Sequence, residues 1–157
     1  MESSVQHFLE PDPVIFLETP KRKPCALRAG HRYLFSKKNC FDIIFWRCER
    51  YFKEKCKGSM ATAGNTIVKA ISHTCIPDPS RVDIITALHA CRRRVREDIH
   101  TPISRIVAEE FTPLRDRGVD NVPSYLSLKS SLHRERQKHL ANRLNPGDFL
   151  CIEAVSL

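Results

Sequence analysis

The most restrictive feature of this 157-residue chain is Pro77-Asp78-Pro79, where two prolines stand one residue apart. Proline fixes φ and disfavours the helical conformation in the residue before it, so neither a helix nor a central strand continues through this segment. The hydrophobic pattern also changes here, from short β-branched and aromatic runs to helical periodicity. The sequence therefore predicts an α+β chain with a β-rich domain at residues 14–77 and a helical segment at residues 80–143.

The first part contains four short runs of β-branched and aromatic residues, which predict strands at residues 14–17, 32–35, 43–48 and 66–72. The turn signals Ala29-Gly30, Lys38-Asn39 and Gly64-Asn65 lie between them. Together they indicate a small antiparallel sheet. In its strand, Trp46 shares a face with Ile44 and Cys48 and is expected to pack in the core rather than to stack on a base.

The second part predicts three helices. Ile84, Leu88, Cys91 and Val95 recur at helical spacing and indicate a helix over residues 81–97. A second helix follows Thr101-Pro102 and ends before Gly118, and a third covers residues 124–142. Two basic clusters lie on these helices, Arg92-Arg93-Arg94 with Arg96 and Arg134 with Arg136 and Lys138. Each is either a phosphate contact or a solvated helix face.

The charge of the chain favours an anionic partner. The formal net charge is +8, and residues 21–57 alone hold twelve Lys or Arg against three acidic residues, a local balance of +9. Nucleic acid is the first partner that such a balance suggests. The longest apolar runs fall well short of the roughly 20 residues that cross a bilayer, so we expect no membrane-spanning segment. No secretory signal is visible, and an intracellular protein is expected, with the nucleus as its compartment.

Four residues have the chemistry and spacing of a metal site: Cys48, Cys56, His73 and Cys75, arranged as Cys-x7-Cys-x16-His-x-Cys. Residues i and i+2 of a strand point to the same face, so His73 and Cys75 can bind one ion from a single strand end. Three thiolates and one imidazole predict a closed, structural, tetrahedral Zn²⁺ site. The alternative is a set of ordinary buried cysteines, because free cysteine is among the most buried residue types.

The residues Phe16, Leu27, Tyr33, Trp46, Cys48, Cys56 and His73 follow one another in the order and approximate spacing of the FLYWCH-type zinc finger, which residues 14–77 resemble. The phrases Gly30-His31-Arg32-Tyr33, Trp46-Arg47-Cys48 and Cys56-Lys57-Gly58 are similar to elements of that family. The resemblance implies a small antiparallel sheet held by one zinc ion, similar in architecture to the WRKY and GCM DNA-binding domains.

One departure from the family concerns the fourth ligand. The family usually ends in His-x-His, whereas this chain has His73-Thr74-Cys75. Cysteine is a competent zinc ligand, so the site is expected to survive. Cys25 or Cys40 is the alternative if Cys75 is not the fourth donor.

Residues 83–136 resemble the helical segment that follows a FLYWCH finger in relatives of Mutator-like transposases. The phrases that carry this resemblance are residues 102–107, 122–129 and 132–136. The chain ends where a transposase catalytic domain would be expected to begin, so no catalytic acidic triad is assigned.

These features predict a zinc-dependent DNA-binding protein. The expected phosphate contacts are the basic residues that flank the strands and the zinc-binding turn: Arg32, Lys37, Lys38, Arg47, Lys53 and Lys55. A zinc-stabilised protein interaction module is the alternative. Phosphate-cradling and nucleophile-turn motifs are absent from the sequence, so neither an enzyme nor a small-molecule substrate is expected.

Overall fold

The computed structural model describes residues 13–143, which divide into two compact units between Asp83 and Ile84. The first unit contains a β-sheet and the second contains helices, and each is described by itself. The predicted α+β class is confirmed. The predicted limits of the two folding units, at residues 77 and 80, stay a prediction. Within residues 13–143, no helix has both the length and the apolar character needed to cross a membrane.

The first unit is a six-stranded antiparallel sheet in which each strand pairs with its neighbour in the chain. Its strands are β1 (Ile15–Glu18), β2 (Pro24–Arg28), β3 (His31–Lys38), β4 (Ile43–Cys48), β5 (Ser59–Ala63) and β6 (Thr66–Ile71). The four predicted strands correspond to β1, β3, β4 and β6. Strands β2 and β5 are not among the predicted strands. In the sheet, β2 lies between β1 and β3, and β5 lies between β4 and β6.

Two short turns set the register of the central strands. Ala29 and Gly30 connect β2 to β3 with φ angles of 48° and 74°, the left-handed pair that a two-residue type I′ hairpin requires. At the next turn, the side-chain oxygen of Asn39 accepts hydrogen bonds from the backbone N–H groups of Phe41 and Ile43 at 3.0 and 2.9 Å. Both turns coincide with the turn signals in the sequence.

The inner face of the sheet carries its hydrophobic core. Ala26, Tyr33, Trp46 and Met60 are buried there on four neighbouring strands. The Trp46 indole N–H donates a hydrogen bond to the buried hydroxyl of Thr62 at 2.9 Å. The interpretation of Trp46 as a core residue is therefore confirmed.

The helices are α1 (Tyr51–Glu54), α2 (Pro79–Glu97), α3 (Ile103–Asp116) and α4 (Tyr125–Arg143). The last three correspond to the three predicted helices, and α1 is an additional single turn between β4 and β5. In the second unit the fully buried side chains include Cys91, Val95, Ile106, Phe111 and Leu132. Cys91 packs within this core, and burial, the largest effect, raises the pKa of its thiol to about 11.

Candidate metal centre and basic sheet face

The four predicted ligands lie together at one end of the sheet. The donor atoms of Cys48, Cys56, His73 and Cys75 all lie within 4.8 Å of one another. The two sulfur atoms of Cys48 and Cys75 are 3.7 Å apart. His73 Nδ1 lies 3.4 Å from the Cys56 sulfur and 3.6 Å from the Cys75 sulfur.

These distances fit the edges of a zinc tetrahedron. Zn–S bonds of about 2.3 Å and Zn–N bonds of about 2.0 Å at tetrahedral angles place two sulfurs about 3.8 Å apart and a sulfur and a nitrogen about 3.5 Å apart. The observed separations of 3.7, 3.4 and 3.6 Å lie close to these values. Three sulfurs and one imidazole nitrogen are also the donor set of closed structural zinc sites. The cluster therefore indicates zinc binding.

Two backbone loops present the first pair of cysteines. The N–H of Arg50 donates to the Cys48 sulfur, and the N–H of Gly58 donates to the Cys56 sulfur, each at 3.4 Å. The N–H of Cys48 also donates to the Gly58 carbonyl at 2.9 Å, which joins the two loops. Helix α1 lies between the loops and returns the chain from the end of β4 to Cys56.

The same backbone donors change the acidity of the thiols. Burial opposes ionisation of Cys56, but the N–H groups of Gly58, Thr74 and Cys75 outweigh it and lower its pKa to about 5. At Cys48 burial is the largest effect, and the single N–H donor of Arg50 does not outweigh it. The pKa of Cys48 is therefore raised to about 12. Cys56 is thus already a thiolate near neutral pH, and a bound cation would have to displace the proton of Cys48.

His73 fits into the site because Gly58 has no side chain. A Cβ at position 58 would lie 2.2 Å from His73 Nδ1 and 2.4 Å from Cε1. The other ring nitrogen, Nε2, lies 2.7 Å from the hydroxyl of Tyr33 on β3. The ring is therefore held so that Nδ1 points toward Cys56 and Cys75.

The chain beyond Cys75 returns over the β2–β3 turn. The N–H of Asp78 donates to the Gly30 carbonyl at 2.8 Å, and a Cβ on Gly30 would lie 2.9 Å from that of Pro77. This contact helps to position Cys75. The backbone at Gly30 is left-handed as well as close to Pro77, so both features require glycine there.

His31, which the sequence reasoning takes as a bystander, lies in contact with the ligand cluster. Its Nδ1 lies 3.6 Å from the Cys75 sulfur, and its ring stacks on that of His73 at a centroid distance of 3.5 Å. Strand alternation could have placed His31 near the metal centre. His31 and Tyr33 share a face of β3, and Tyr33 lies opposite Cys48.

The two alternative fourth donors lie elsewhere. Cys25 is buried in β2, where burial, the largest effect, raises the pKa of its thiol, and Cys40 is exposed in the β3–β4 turn. Neither is part of the cluster found among residues 13–143. The structure therefore brings Cys75, and not Cys25 or Cys40, to the other three ligands.

The six predicted phosphate contacts differ in their surroundings. Arg32 pairs with Glu49 at 3.2 Å, and Lys38 pairs with Asp42 at 2.8 Å. Lys53 lies in α1, and Lys55 follows it with a left-handed φ of 55°. Lys37 and Arg47 lie on the outer face of the sheet, opposite the Trp46 core. The structure thus does not bring all six residues to one surface.

The outer face consists of two cross-strand rows on β3 to β6, one of Lys37, Phe45, Ala61 and Lys69 and one of Leu34, Arg47, Ser59 and Ile71. Apart from Leu34, the residues of these rows line, with Lys57 and Tyr51, a shallow pocket of about 300 Å³. The Lys37 ammonium lies 5.2 Å from the centroid of the Phe45 ring. The Arg47 guanidinium lies 4.7 and 4.8 Å from the rings of Tyr51 and Phe52.

Within residues 13–143, the cations of this face have no acidic partner. In the part of the chain that the structure describes, no carboxylate lies within salt-bridge distance of Lys37, Arg47, Lys57 or Lys69. Lys69 was not among the predicted contacts. The pairing of β6 with β5 places Lys69 on this face. The sequence did not show that pairing, because β5 itself was not predicted.

Several arginines of the basic clusters are held by contacts within the helical unit. Arg94 binds the carboxylates of Glu109 and Glu110, and Arg96 pairs with Glu135 at 3.7 Å. The side chain of Arg136 donates hydrogen bonds to three backbone carbonyls, those of Val95, Asp98 and Thr101. These arginines hold the helices together, which leaves the outer face as the stronger candidate for an anion.

Comparison with known families agrees with this geometry. Residues 16–74 match the family model described as the FLYWCH zinc finger domain. No curated protein matches the chain. The match ends at residue 74, so the resemblance of the helical segment to Mutator-like transposase relatives stays a prediction. The matched residues include three of the four clustered ligands, and the prediction of a FLYWCH zinc finger domain is confirmed for this part of the chain.

Proposed function

We propose that this chain is a zinc-dependent DNA-binding protein of the nucleus that contacts DNA with the outer face of its FLYWCH-type sheet. One observation carries the proposal: four cations on or beside that face, Lys37, Arg47, Lys57 and Lys69, have no acidic partner among the described residues. Elsewhere many basic side chains are paired within the protein. Unpaired cations on one surface are the electrostatic footprint of a phosphate-binding site.

In this proposal zinc has a structural role. Cys48, Cys56, His73 and Cys75 would hold it, and four protein donors leave no open position for a reacting water. When bound, the ion cross-links the end of β4 to the segment after β6. The proposal therefore includes no catalytic step.

Salt dependence of binding to duplex DNA tests the function. Each phosphate contact contributes about −0.9 to the slope of log K against log salt. A Lys37→Ala/Lys69→Ala double variant should bind duplex DNA more weakly and flatten the slope by up to about two units. The matched control is Arg93→Ala/Arg105→Ala, which removes the same charge from arginines that pair with Glu97 and Glu109. Equal loss of affinity in both double variants would contradict the placement of DNA on the sheet.

A protein interaction module is the second candidate, and one surface favours it. A groove of about 820 Å³ is lined by Leu34 and Phe35 of β3 and by the proline-containing β1–β2 turn. At the nearby β3–β4 turn, the Phe41 side chain is 80% exposed. Apolar residues of this kind mark docking surfaces. Binding through them should change little with salt, which separates this function from DNA binding.

A further inference from the structure

We propose that His31 is a positioning residue of the metal centre: its Nδ1–H donates a hydrogen bond to the Cys75 sulfur and protects that sulfur from electrophiles. This inference goes beyond DNA binding, and of the proposed function it rests on the zinc site alone. It depends on how the backbone and the His73 ring place the His31 imidazole, and on the charge of the three sulfurs.

The start of β3 holds His31 beside the segment that contains Cys75. His31 follows the left-handed Gly30 and pairs with Arg28 across the β2–β3 hairpin. The Gly30 carbonyl accepts a hydrogen bond from the N–H of Asp78 at 2.8 Å, which joins this hairpin to the chain just beyond Cys75. The backbone therefore brings the two positions together independently of their side chains.

The ring of His73 fixes the plane of the His31 imidazole. The two rings stack with their centroids 3.5 Å apart and their planes within 3° of each other. In this arrangement Nδ1 of each ring lies 3.6 Å from the Cys75 sulfur. His31 is not among the four residues whose donor atoms all lie within 4.8 Å of one another. Its nitrogen is therefore placed as a hydrogen-bond donor to the sulfur and not as a fifth ligand.

With this bond, each sulfur of the cluster has an N–H donor from outside the ligand set. Cys48 and Cys56 accept backbone N–H groups, those of Arg50 and Gly58, each at 3.4 Å. The His31 contact of 3.6 Å is of similar length, but its donor is a side chain. The interaction at Cys75 can therefore be removed by substitution, whereas the backbone interactions at the other two sulfurs cannot.

The charge of the donor set makes such a bond valuable. Three thiolates outnumber the two positive charges of a zinc ion, so the sulfurs of the loaded centre share an excess of negative charge. An N–H that points at a charged acceptor makes a stronger hydrogen bond than a neutral pair does. Partners of this kind orient the ligand and tune its affinity for the metal.

Cys75 is also the sulfur that most needs protection. Cys48 and Cys56 are buried, whereas Cys75 is partly exposed. The thiolate is the nucleophilic form of cysteine, so an electrophile should react first with the accessible thiolate. A hydrogen bond from His31 withdraws electron density from that sulfur and should slow the reaction.

The test alkylates the zinc-loaded full chain with iodoacetamide and follows Cys75 by peptide mass spectrometry, with the exposed Cys40 as the reference for reagent activity. His31→Phe keeps a ring that can stack on His73 but has no N–H. It should speed alkylation of Cys75 by about fivefold, the factor that one hydrogen bond is worth. His31→Asn offers an amide N–H near the position of Nδ1 and should react at close to the wild-type rate. The matched control is His133→Phe, at an exposed histidine of α4, which should leave the rate unchanged.

Cobalt(II) in place of zinc provides a measurement that packing alone would not change. The sulfur-to-cobalt charge-transfer absorption reports the electron density on the sulfurs, so its band should shift in His31→Phe and not in His31→Asn. Zinc affinity should follow the same order, with a loss of about 10-fold or more in His31→Phe and a smaller loss in His31→Asn. A role in stacking alone would give the opposite order, because only phenylalanine keeps the ring.

An alkylation rate in His31→Phe equal to that of the wild type would overturn this inference, and so would a His31→Asn variant that loses more zinc than His31→Phe. Both results would leave the proposed function standing. A wild-type chain that takes up neither zinc nor cobalt would overturn the inference together with the zinc dependence of the proposed function. Failure to bind DNA would contradict the proposed function alone, because none of these measurements uses DNA.

Discussion

The hydroxyl of Tyr33 lies 2.7 Å from Nε2 of His73 and joins strand β3 to the segment that follows β6. This hydrogen bond fixes the imidazole ring with its other nitrogen, Nδ1, toward the cysteine sulfurs. Partners of this kind orient metal-binding histidines and raise their affinity for the ion. Tyr33 is thus part of the metal centre without offering a ligand.

The first prediction concerns this hydroxyl. Tyr33→Phe should lower zinc affinity by about 10-fold to 100-fold, because it removes the group that holds the His73 ring while keeping the buried aromatic ring. Competition with a chromogenic chelator measures the affinity. Tyr51→Phe removes a hydroxyl outside the metal centre and should leave zinc affinity unchanged. Equal zinc affinity in Tyr33→Phe and the wild type would show that the hydrogen bond does not orient the ring.

Gly58 gives a second prediction. An added methyl group would lie 2.2 Å from His73 Nδ1, so Gly58→Ala should displace the imidazole and prevent stoichiometric zinc binding. Gly64→Ala is the control, because its Cβ would meet no atom within 4 Å and its φ of 58° makes alanine costly by roughly 1 to 2 kcal/mol. Metal analysis of both variants should show zinc in Gly64→Ala alone. Full zinc content in Gly58→Ala would contradict the observed position of the His73 ring against Gly58.

A third prediction identifies the fourth ligand. Cys75→Ala should lower zinc affinity by more than about 100-fold, whereas Cys25→Ala and Cys40→Ala should retain the ion, because their sulfurs lie outside the cluster. Cys75→His should keep zinc, since it restores the commoner ligand of the family. Thiol-specific labelling with and without zinc provides an independent measurement. Protection of Cys25 or Cys40 in place of Cys75 would reassign the site.

The ligand cluster could be predicted from the sequence because its chemistry lies in four residues, three cysteines and one histidine, at fixed spacing. Strands β2 and β5 could not be predicted from the sequence. Cys25 and Ala26, like Met60 and Ala61, have weak strand preference alone, and pairing with neighbours on both sides makes them strands.

The basic contacts could be predicted only in part for a related reason. Arg32 and Lys37 look alike in the sequence, but Glu49 lies beside Arg32 through tertiary folding, whereas Lys37 has no such neighbour among residues 13–143. Charge counts alone do not show which cations are already bound to partners within the fold. Arg136 is another example, because its carbonyl partners belong to distant parts of the helical unit.

Arg136 therefore supports a fourth prediction. Its guanidinium donates to the carbonyls of Val95, Asp98 and Thr101 at 3.3, 3.0 and 2.8 Å. Arg136→Ala should lower the free energy of unfolding by about 2 to 3 kcal/mol, because it leaves these partly buried acceptors without a charged donor. The neighbouring Arg134→Ala is the control and should have little effect, since Arg134 is exposed and bonds within α4. Denaturant unfolding followed by circular dichroism measures both variants.

The fifth prediction concerns pH. Hydrogen bonds from the Thr101 hydroxyl, and then from the backbone N–H groups of Thr101 and His100, lower the pKa of Asp98 from 3.8 to about 2. Because this folded-state pKa is depressed, Asp98 stabilises the fold fully above about pH 4, and the effect is lost as pH falls toward 2. Asp98→Ala should therefore melt below the wild type at pH 6, with a gap that closes between pH 4 and 2. Helical circular dichroism measures the midpoints. A gap independent of pH would contradict this role.

The order of the strands has a consequence for how the finger folds. Each strand pairs with the next one in the chain, so five successive hairpins can form through short loop closures. The metal centre instead joins Cys48 to Cys75 and Tyr33 to His73, which are separated by 27 and 40 positions. These contacts require a nearly complete sheet and form late. Zinc should therefore act mainly on the unfolding rate, so that the ion sets the lifetime of the finger rather than the speed at which it forms.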